Sequence, residues 1–298
     1  MKKILLAACA ILLTVSSVFG QNYMKRYKVS DLHGIRACSI FDVTIEEGNT
    51  DLVQVITEKN SIEWLNYVIV RDDSGILTLD IDERGARKAG LINRFGQWKD
   101  KNVKLMVNAK MKKLDAVILS GASKLRTKGT FKGGKVTCKI SGAAFMDNTT
   151  LAVESLNADI SGAGKMLVNG SFKMVNLELS GASMTNLNGT MVDMTGSLSG
   201  ASRLHTDVTS NSLNVELSGA SDADLNGSAQ LIKVECSGAS KCDASGLNTR
   251  NAAVNLSGVS KASVKAMSTV TGEVNTMAHL TCYGNAEVKI DSKNVTIK

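Results

Sequence analysis

Serine beside glycine is the arrangement that lifts a nucleophilic hydroxyl out of a tight turn. Ser-Gly-Ala-Ser occurs here five times, from Ser120, Ser180, Ser199, Ser218 and Ser237. Such a hydroxyl needs a neighbouring base, yet the three histidines, His33, His205 and His279, are scattered. Acids recur at a fixed interval: Glu216 and Glu235, like Asp224 and Asp243, lie 19 residues apart. Stacked carboxylates can hold Ca²⁺ through oxygen, or they can form a solvated outer face. Beyond residue 20 the cysteines are Cys38, Cys138, Cys236, Cys242 and Cys282. Their spacing matches neither a zinc nor a CxxC pattern, and an odd number cannot all pair within one chain. They read as small buried hydrophobes.

The most distinctive charged stretch is residues 84–101. It holds Arg84, Arg87, Lys88, Arg94, Lys99 and Lys101 against Asp100 alone, with Phe95 and Trp98 among them. Arg87, Lys88, Arg94, Phe95 and Trp98 are the candidate ligand contacts, suited to an anionic polymer or a lipid surface. The structural alternative is a solvated connection or a short helix capping the end of the fold.

The elements that must position these groups follow from an internal repeat. Ser-Gly-small recurs at Ser120, Ser141, Ser161, Ser180, Ser199, Ser218, Ser237 and Ser257, at intervals of 21, 20, 19, 19, 19, 19 and 20, with a worn ninth copy at Thr276-Met277-Ala278. Apolar residues stand one place before each Ser and, except for Gly196, three places before it, as in Val215 and Leu217, with a mostly polar residue such as Glu216 between. Period-two alternation marks a strand with one buried face. Cys138 and Cys236 occupy the buried columns. Asn-Gly at 169, 188 and 226 suits a tight corner. Each repeat therefore reads as two short strands cornered at Ser-Gly and Asn-Gly, plus a looser return, with the Ala of the motif turned inside a narrow corner. A 19-residue unit cannot bury its own face and must stack on its neighbours. The result is an all-β parallel β-solenoid of about nine coils, with Ser-Gly-Ala-Ser as architecture.

Residues 21–110 lack the repeat but contain strand-like runs at 39–45, 52–57, 67–70, 76–81 and 103–107. They form an N-terminal β section expected to cover the open end of the solenoid at 111–298. Residues 1–20 read as a signal peptide: Lys2 and Lys3, an apolar core over 4–15, then Val18-Phe19-Gly20 before Gln21. Leu6-Ala7-Ala8-Cys9 offers a rival lipoprotein box, at the cost of a very short apolar core. The chain is thus expected in the periplasm, at the cell surface or secreted, with lipid anchoring at Cys9 as the minor alternative. No later stretch is long enough to span a membrane as a helix.

With residues 1–20 removed, 33 basic and 28 acidic residues leave +5, mild for a chain of this size; this balance and the expected export argue against nucleic-acid binding. The absence of Pro and the 43% hydrophobic content exclude collagen-like and disordered chains.

The Ser-Gly-Ala-Ser-Lys-Leu type of repeat, the lead-in from about Tyr27 with Gly75-Ile76-Leu77-Thr78-Leu79, and the exported start resemble the head GIN domain family of Bacteroidota, described as auto-transporter adhesins. The resemblance spans roughly residues 27–290. It implies a right-handed parallel β-helix with an N-terminal β section. The family has no agreed catalytic residues, so none is carried over and no cofactor or metal is implied. Two functions compete. One is a non-catalytic exported binding, adhesion or scaffold module of the envelope, facing a polysaccharide or protein surface and open to oligomerisation. The other is a carbohydrate-active β-helix enzyme, which would want paired carboxylates and aromatic platforms. After residue 110 there is no Trp, and the aromatics are Phe131, Phe145, Phe172 and Tyr283.

Overall fold

The computed structural model describes residues 22–49, 52–94, 96–100 and 102–298. The expected signal peptide, the Gln21 start and the Cys9 box lie outside the described residues. The described chain is 67% strand and 5% helix, wound into a β-solenoid of about 10 turns. At about 4.8 Å per rung, the rod is roughly 45 Å long.

The early elements are β1 (Asn22–Lys28), β2 (Gly34–Ala37), β3 (Phe41–Glu47), β4 (Leu52–Glu58), a 3₁₀ segment (Lys59–Asn66), β5 (Val68–Asp73), β6 (Ile76–Ile81), α1 (Glu83–Lys88) and β7 (Leu105–Met111). Then come β8 (Ala116–Leu119), β9 (Lys124–Lys128), β10 (Thr130–Ile140), β11 (Phe145–Ile160), β12 (Lys165–Leu179), β13 (Met184–Leu198), β14 (Arg203–Leu217), β15 (Asp222–Cys236), β16 (Lys241–Leu256) and β17 (Lys261–Val274). Three short strands close the far end: β18 (His279–Tyr283), β19 (Glu287–Lys289) and β20 (Val295–Ile297).

From β10 onward each coil pairs in parallel with the next, residue over residue: Glu216 faces Glu235, and Asp224 faces Asp243. The stack also reaches back into the section without repeats. β2 pairs in parallel with β8 and with β6, while β3 pairs with β9 and with β7. The rung formed by β2 and β3 is therefore internal, although it comes first in the chain. Beyond the β6–β7 rung the pairing turns antiparallel, β5 on β6, β4 on β7 and β1 on β4.

Two local expectations change. The Asn-Gly sites bend the strand without ending it: β12, β13 and β15 run continuously through Gly170, Gly189 and Gly227. The bend is backbone-tight, since a Cβ on Gly189 would lie 1.9 Å from the carbonyl oxygen of Gly170. A looser return is thus absent from these coils, because the ladder stays paired around the bend. The Ala of Ser-Gly-Ala-Ser also faces outward, and the second Ser is the residue turned in. Ser221 Oγ donates to the Ser218 carbonyl at 2.8 Å, and Ser240 Oγ to Ser237 at 2.9 Å and to Leu217 one coil back at 3.5 Å. A buried corner needs a small side chain that can also satisfy carbonyls, and Ser does both where Ala does one.

The core is a single continuous column of Leu, Val, Ile, Met, Ala and Cys. Cys138, Cys236, Cys242 and Cys282 are buried free thiols, and Cys38 is half-buried. Burial pushes the Cys138 thiol up to about 12 and those of Cys236 and Cys282 to about 11.

Candidate ligand-binding surfaces

The 84–101 stretch sits where the β6–β7 rung would otherwise make its Ser-Gly corner. Asp82 caps α1, its carboxylate accepting from the Gly85 amide at 3.0 Å. The chain then forms a tight hairpin closed by the Ile92–Trp98 bridge. The Asn93 amide donates to the Gln97 carbonyl at 2.8 Å, and the Gln97 amide donates to the Asn93 side-chain oxygen at 2.9 Å. Leu91 and Ile92 are buried. Trp98 stacks on the fully buried Trp64, ring centroids 4.1 Å apart and planes 13° from parallel.

This arrangement separates the five predicted contacts. Trp98 anchors the hairpin, with one ring face covered by Trp64. Arg87, Lys88 and Arg94 are exposed on the same insertion. Arg87 lies 3.9 Å from Glu83 along the short helix and reaches the Asn93 carbonyl at 3.5 Å. Phe95 lies outside the described residues.

A second surface is the outer face of the sheet that precedes the Ser-Gly corners. One column runs the length of the rod and changes sign. It begins with Arg71, the buried Thr78, Arg36, Ile118 and Lys139. It continues as Asp159, Glu178, Ser197, Glu216, Glu235, Asn255 and Glu273. Glu216, Glu235, Asn255 and Glu273 line a shallow groove that ends at Asn275. Lys233 beside this column bonds Glu235, which holds its ammonium charged, with Glu216 adding to the effect. Among the described residues no group of three or more His, Cys, Asp or Glu converges as a metal site would require.

Sequence reasoning noted Asn169 and Asn188 as corner residues and passed over the outward hydrogen-bonded ladders that they and Asn157 and Asn176 form. Asn176 donates to Asn157 at 2.8 Å and Asn188 to Asn169 at 3.1 Å, each pair 19 residues apart. The repeat interval applied to polar columns would have found them.

The corner serines are engaged in the fold. Ser199 and Ser218 donate to the carbonyls of Leu179 and Leu198 at 3.3 and 3.2 Å. The histidine–acid pair nearest these corners, His205 Nδ1 to Asp224 Oδ2 at 3.0 Å, lies on the other side of the corner, on the strand that leaves it. No described helix is long and apolar enough to cross a membrane.

Comparison with solved structures places the architecture among known ones. A putative adhesin from Parabacteroides distasonis is 14% identical, with 94% of this chain and 95% of that chain covered and a TM-score of 0.55. Another from Parabacteroides merdae is 14% identical over the same shares, with a TM-score of 0.47. A protein described as a putative lipid binding protein from Parabacteroides distasonis is 13% identical over 94% and 95%, at 0.41. The first of these shows the fold. No curated protein matches the chain. The family described as "Putative auto-transporter adhesin, head GIN domain" matches residues 31–196 and 191–286, so nearly the whole described rod is covered, and the chain belongs to that family.

Proposed function

We propose that this protein is an exported, non-catalytic binding module of the cell envelope, an adhesion or scaffold rod for an extended envelope or extracellular ligand. The observation that supports this reading is repetition on the outside of the rod. Glu216 over Glu235, Asn157 under Asn176 and Asn169 under Asn188 present like groups at a constant rise. A surface that repeats along one axis suits a ligand that repeats along one axis, and stacked coils hold it without ordering cost on binding.

The alternative enzyme reading asks for two carboxyls on opposite sides of a sugar ring. Glu216 and Glu235 instead project from one face of one sheet on adjacent rungs. Arg87, Lys88 and Arg94 on the anchored hairpin are proposed ligand contacts, with Trp98 as the residue that holds them in place.

A glycan panel of neutral and anionic polysaccharides, read both for binding and for new reducing ends, tests this function. Binding without release of reducing ends is expected. Turnover of any bound polysaccharide would replace the binding module with an enzyme.

A further inference from the structure

We infer that the corner joining the β7–β8 and β9–β10 connections is a binding edge for an anionic polysaccharide. This inference rests on the binding-module reading and deepens it by naming a site and a ligand class. The motive is a segregation of charge. Residues 82–139 contain 16 Lys and Arg against 4 Asp and Glu, a net of +12, while the rest of the chain from residue 21 carries 17 against 24, a net of −7.

Topology gathers much of that excess in one place. Glu46 on β3 is flanked in register by Lys110 on one neighbouring rung and Lys128 on the other. From those two lysines the chain turns the same corner on each rung. It rejoins the next face where Ala116 pairs with Thr137, the Thr137 amide donating to the Asp115 carbonyl at 2.9 Å. Lys112 and Lys113 lie on the β7–β8 connection, and Lys132 and Lys135 on β10 where it rounds the same corner. All four, with Lys128, are exposed, and among the described residues none has an ion-pair partner within 4 Å. Nearby acids are mostly committed elsewhere: Glu46 to Lys110 at 3.1 Å, Asp115 to His33 at 3.5 Å and Glu154 to Lys173 at 2.6 Å. Glu47, beside Gly129, is the exception.

A second observation is independent of charge. Gly133 and Gly134, between Lys132 and Lys135, have no left-handed φ, and a Cβ on either would meet nothing within 4 Å. The fold does not demand glycine at either position. What the two glycines supply is bare backbone between two lysines, where a chain can lie close to amide groups.

The rung rise of about 4.8 Å is close to the length of one sugar in an extended polysaccharide. Lys110 and Lys128, on the rungs either side of Glu46, are thus about two sugars apart and can meet charges on alternate residues. The favoured occupant is a soluble polyanion over a membrane, because the edge offers no apolar anchor: Phe131 and Met111, its large apolar side chains, are buried.

The test uses the full exported chain and polygalacturonate, with neutral dextran and phosphatidylglycerol vesicles as separate arms. Replacing Lys112, Lys113, Lys128, Lys132 and Lys135 with Gln should weaken polygalacturonate binding about tenfold at low salt, and raising the salt should weaken the wild type likewise. Gln at Lys241, Lys261, Lys265, Lys289 and Lys293 changes net charge equally and should leave binding near wild type. Gly133→Leu with Gly134→Leu should keep the melting temperature yet weaken binding. Equal loss in both lysine sets, or retention of binding by the edge variant, overturns the edge. Binding to dextran alone overturns the ligand class while the binding-module reading stands. Binding to the vesicles without polygalacturonate makes the edge a membrane contact and refutes the proposal.

Discussion

Ser39 lies directly beneath Gly121 in the stack. The Ala122 amide donates to the Ser39 carbonyl at 2.6 Å, and a Cβ on Gly121 would come 2.5 Å from that same oxygen. Ser39 has φ 76°, close to the 66–71° of the corner glycines from Gly121 to Gly258. Cys38-Ser39-Ile40 is therefore a further copy of the Ser-Gly-small corner, with L-residues where the later coils have glycine. A left-handed L-residue costs about 1–2 kcal/mol, partly offset by the greater chain entropy of Gly when unfolded. Ser39→Gly should stabilise the protein by up to about 1 kcal/mol in urea denaturation. A loss of stability would mean the Ser39 side chain makes a contact that matters.

Gly219 tests the same corner deeper in the rod. A Cβ there would lie 2.8 Å from the Gly200 carbonyl oxygen, at φ 69°. Gly219→Val should lower stability by at least about 3 kcal/mol and strain both neighbouring coils. Glu216→Gln, on the exposed acidic column, should stay within about 0.5 kcal/mol. Unfolding midpoints of the two variants decide. The reverse order would place the corner wrongly.

Thr206 carries a buried hydroxyl oxygen with no hydrogen-bond partner. Val has the same shape without that oxygen, and removing an unsatisfied buried polar group recovers part of its desolvation cost of about 1–3 kcal/mol. Thr206→Val should therefore raise the denaturation midpoint, and a fall would show that the hydroxyl is satisfied in solution.

The buried thiols give the protein an alkaline weakness. Folding raises these thiol pKa values, so the folded chain holds protons that the unfolded chain releases. Stability from this source is whole below about pH 8.5, the ordinary thiol value. It falls as pH climbs through about 11 for Cys236 and Cys282 and about 12 for Cys138. Denaturation curves between pH 8 and 11 should show declining stability, and a Cys138→Ala, Cys236→Ala, Cys282→Ala chain should decline less. Native labelling should mark Cys38 first, since the other four thiols beyond residue 20 are buried. Rapid native labelling of Cys138 would contradict the inward register.

Trp98 and Trp64 are the two tryptophans of the chain. Their stacking at 4.1 Å should give an exciton couplet in circular dichroism. Trp98→Ala should abolish the couplet and cost about 2 kcal/mol, less than the 3–5 of a fully buried aromatic because Trp98 is half-buried. A couplet that survives in the variant would refute the stack.

The repeat interval by itself determined the architecture from Ser120 onward. Period-two alternation assigns Leu217 and Val215 inward and Glu216 outward, and a constant interval leaves residue-over-residue stacking as the one way to bury every coil. It also placed Cys138 and Cys236 in the core, because each stands in a column of aliphatic residues. Three things needed the tertiary structure. The inward Ser and outward Ala of the corner depend on the path of a backbone that four residues of text do not reveal. The β2–β3 rung carries too few repeat signals, with Ser39 in place of glycine, and its identity shows only through pairing with β6 and β8. The basic stretches at 84–101 and 110–135 look alike as text. Packing separates them: Trp98 folds back onto Trp64, while Lys110 and Lys128 of the later stretch are brought to either side of Glu46 by strand pairing, with Lys112, Lys113, Lys132 and Lys135 exposed beyond them.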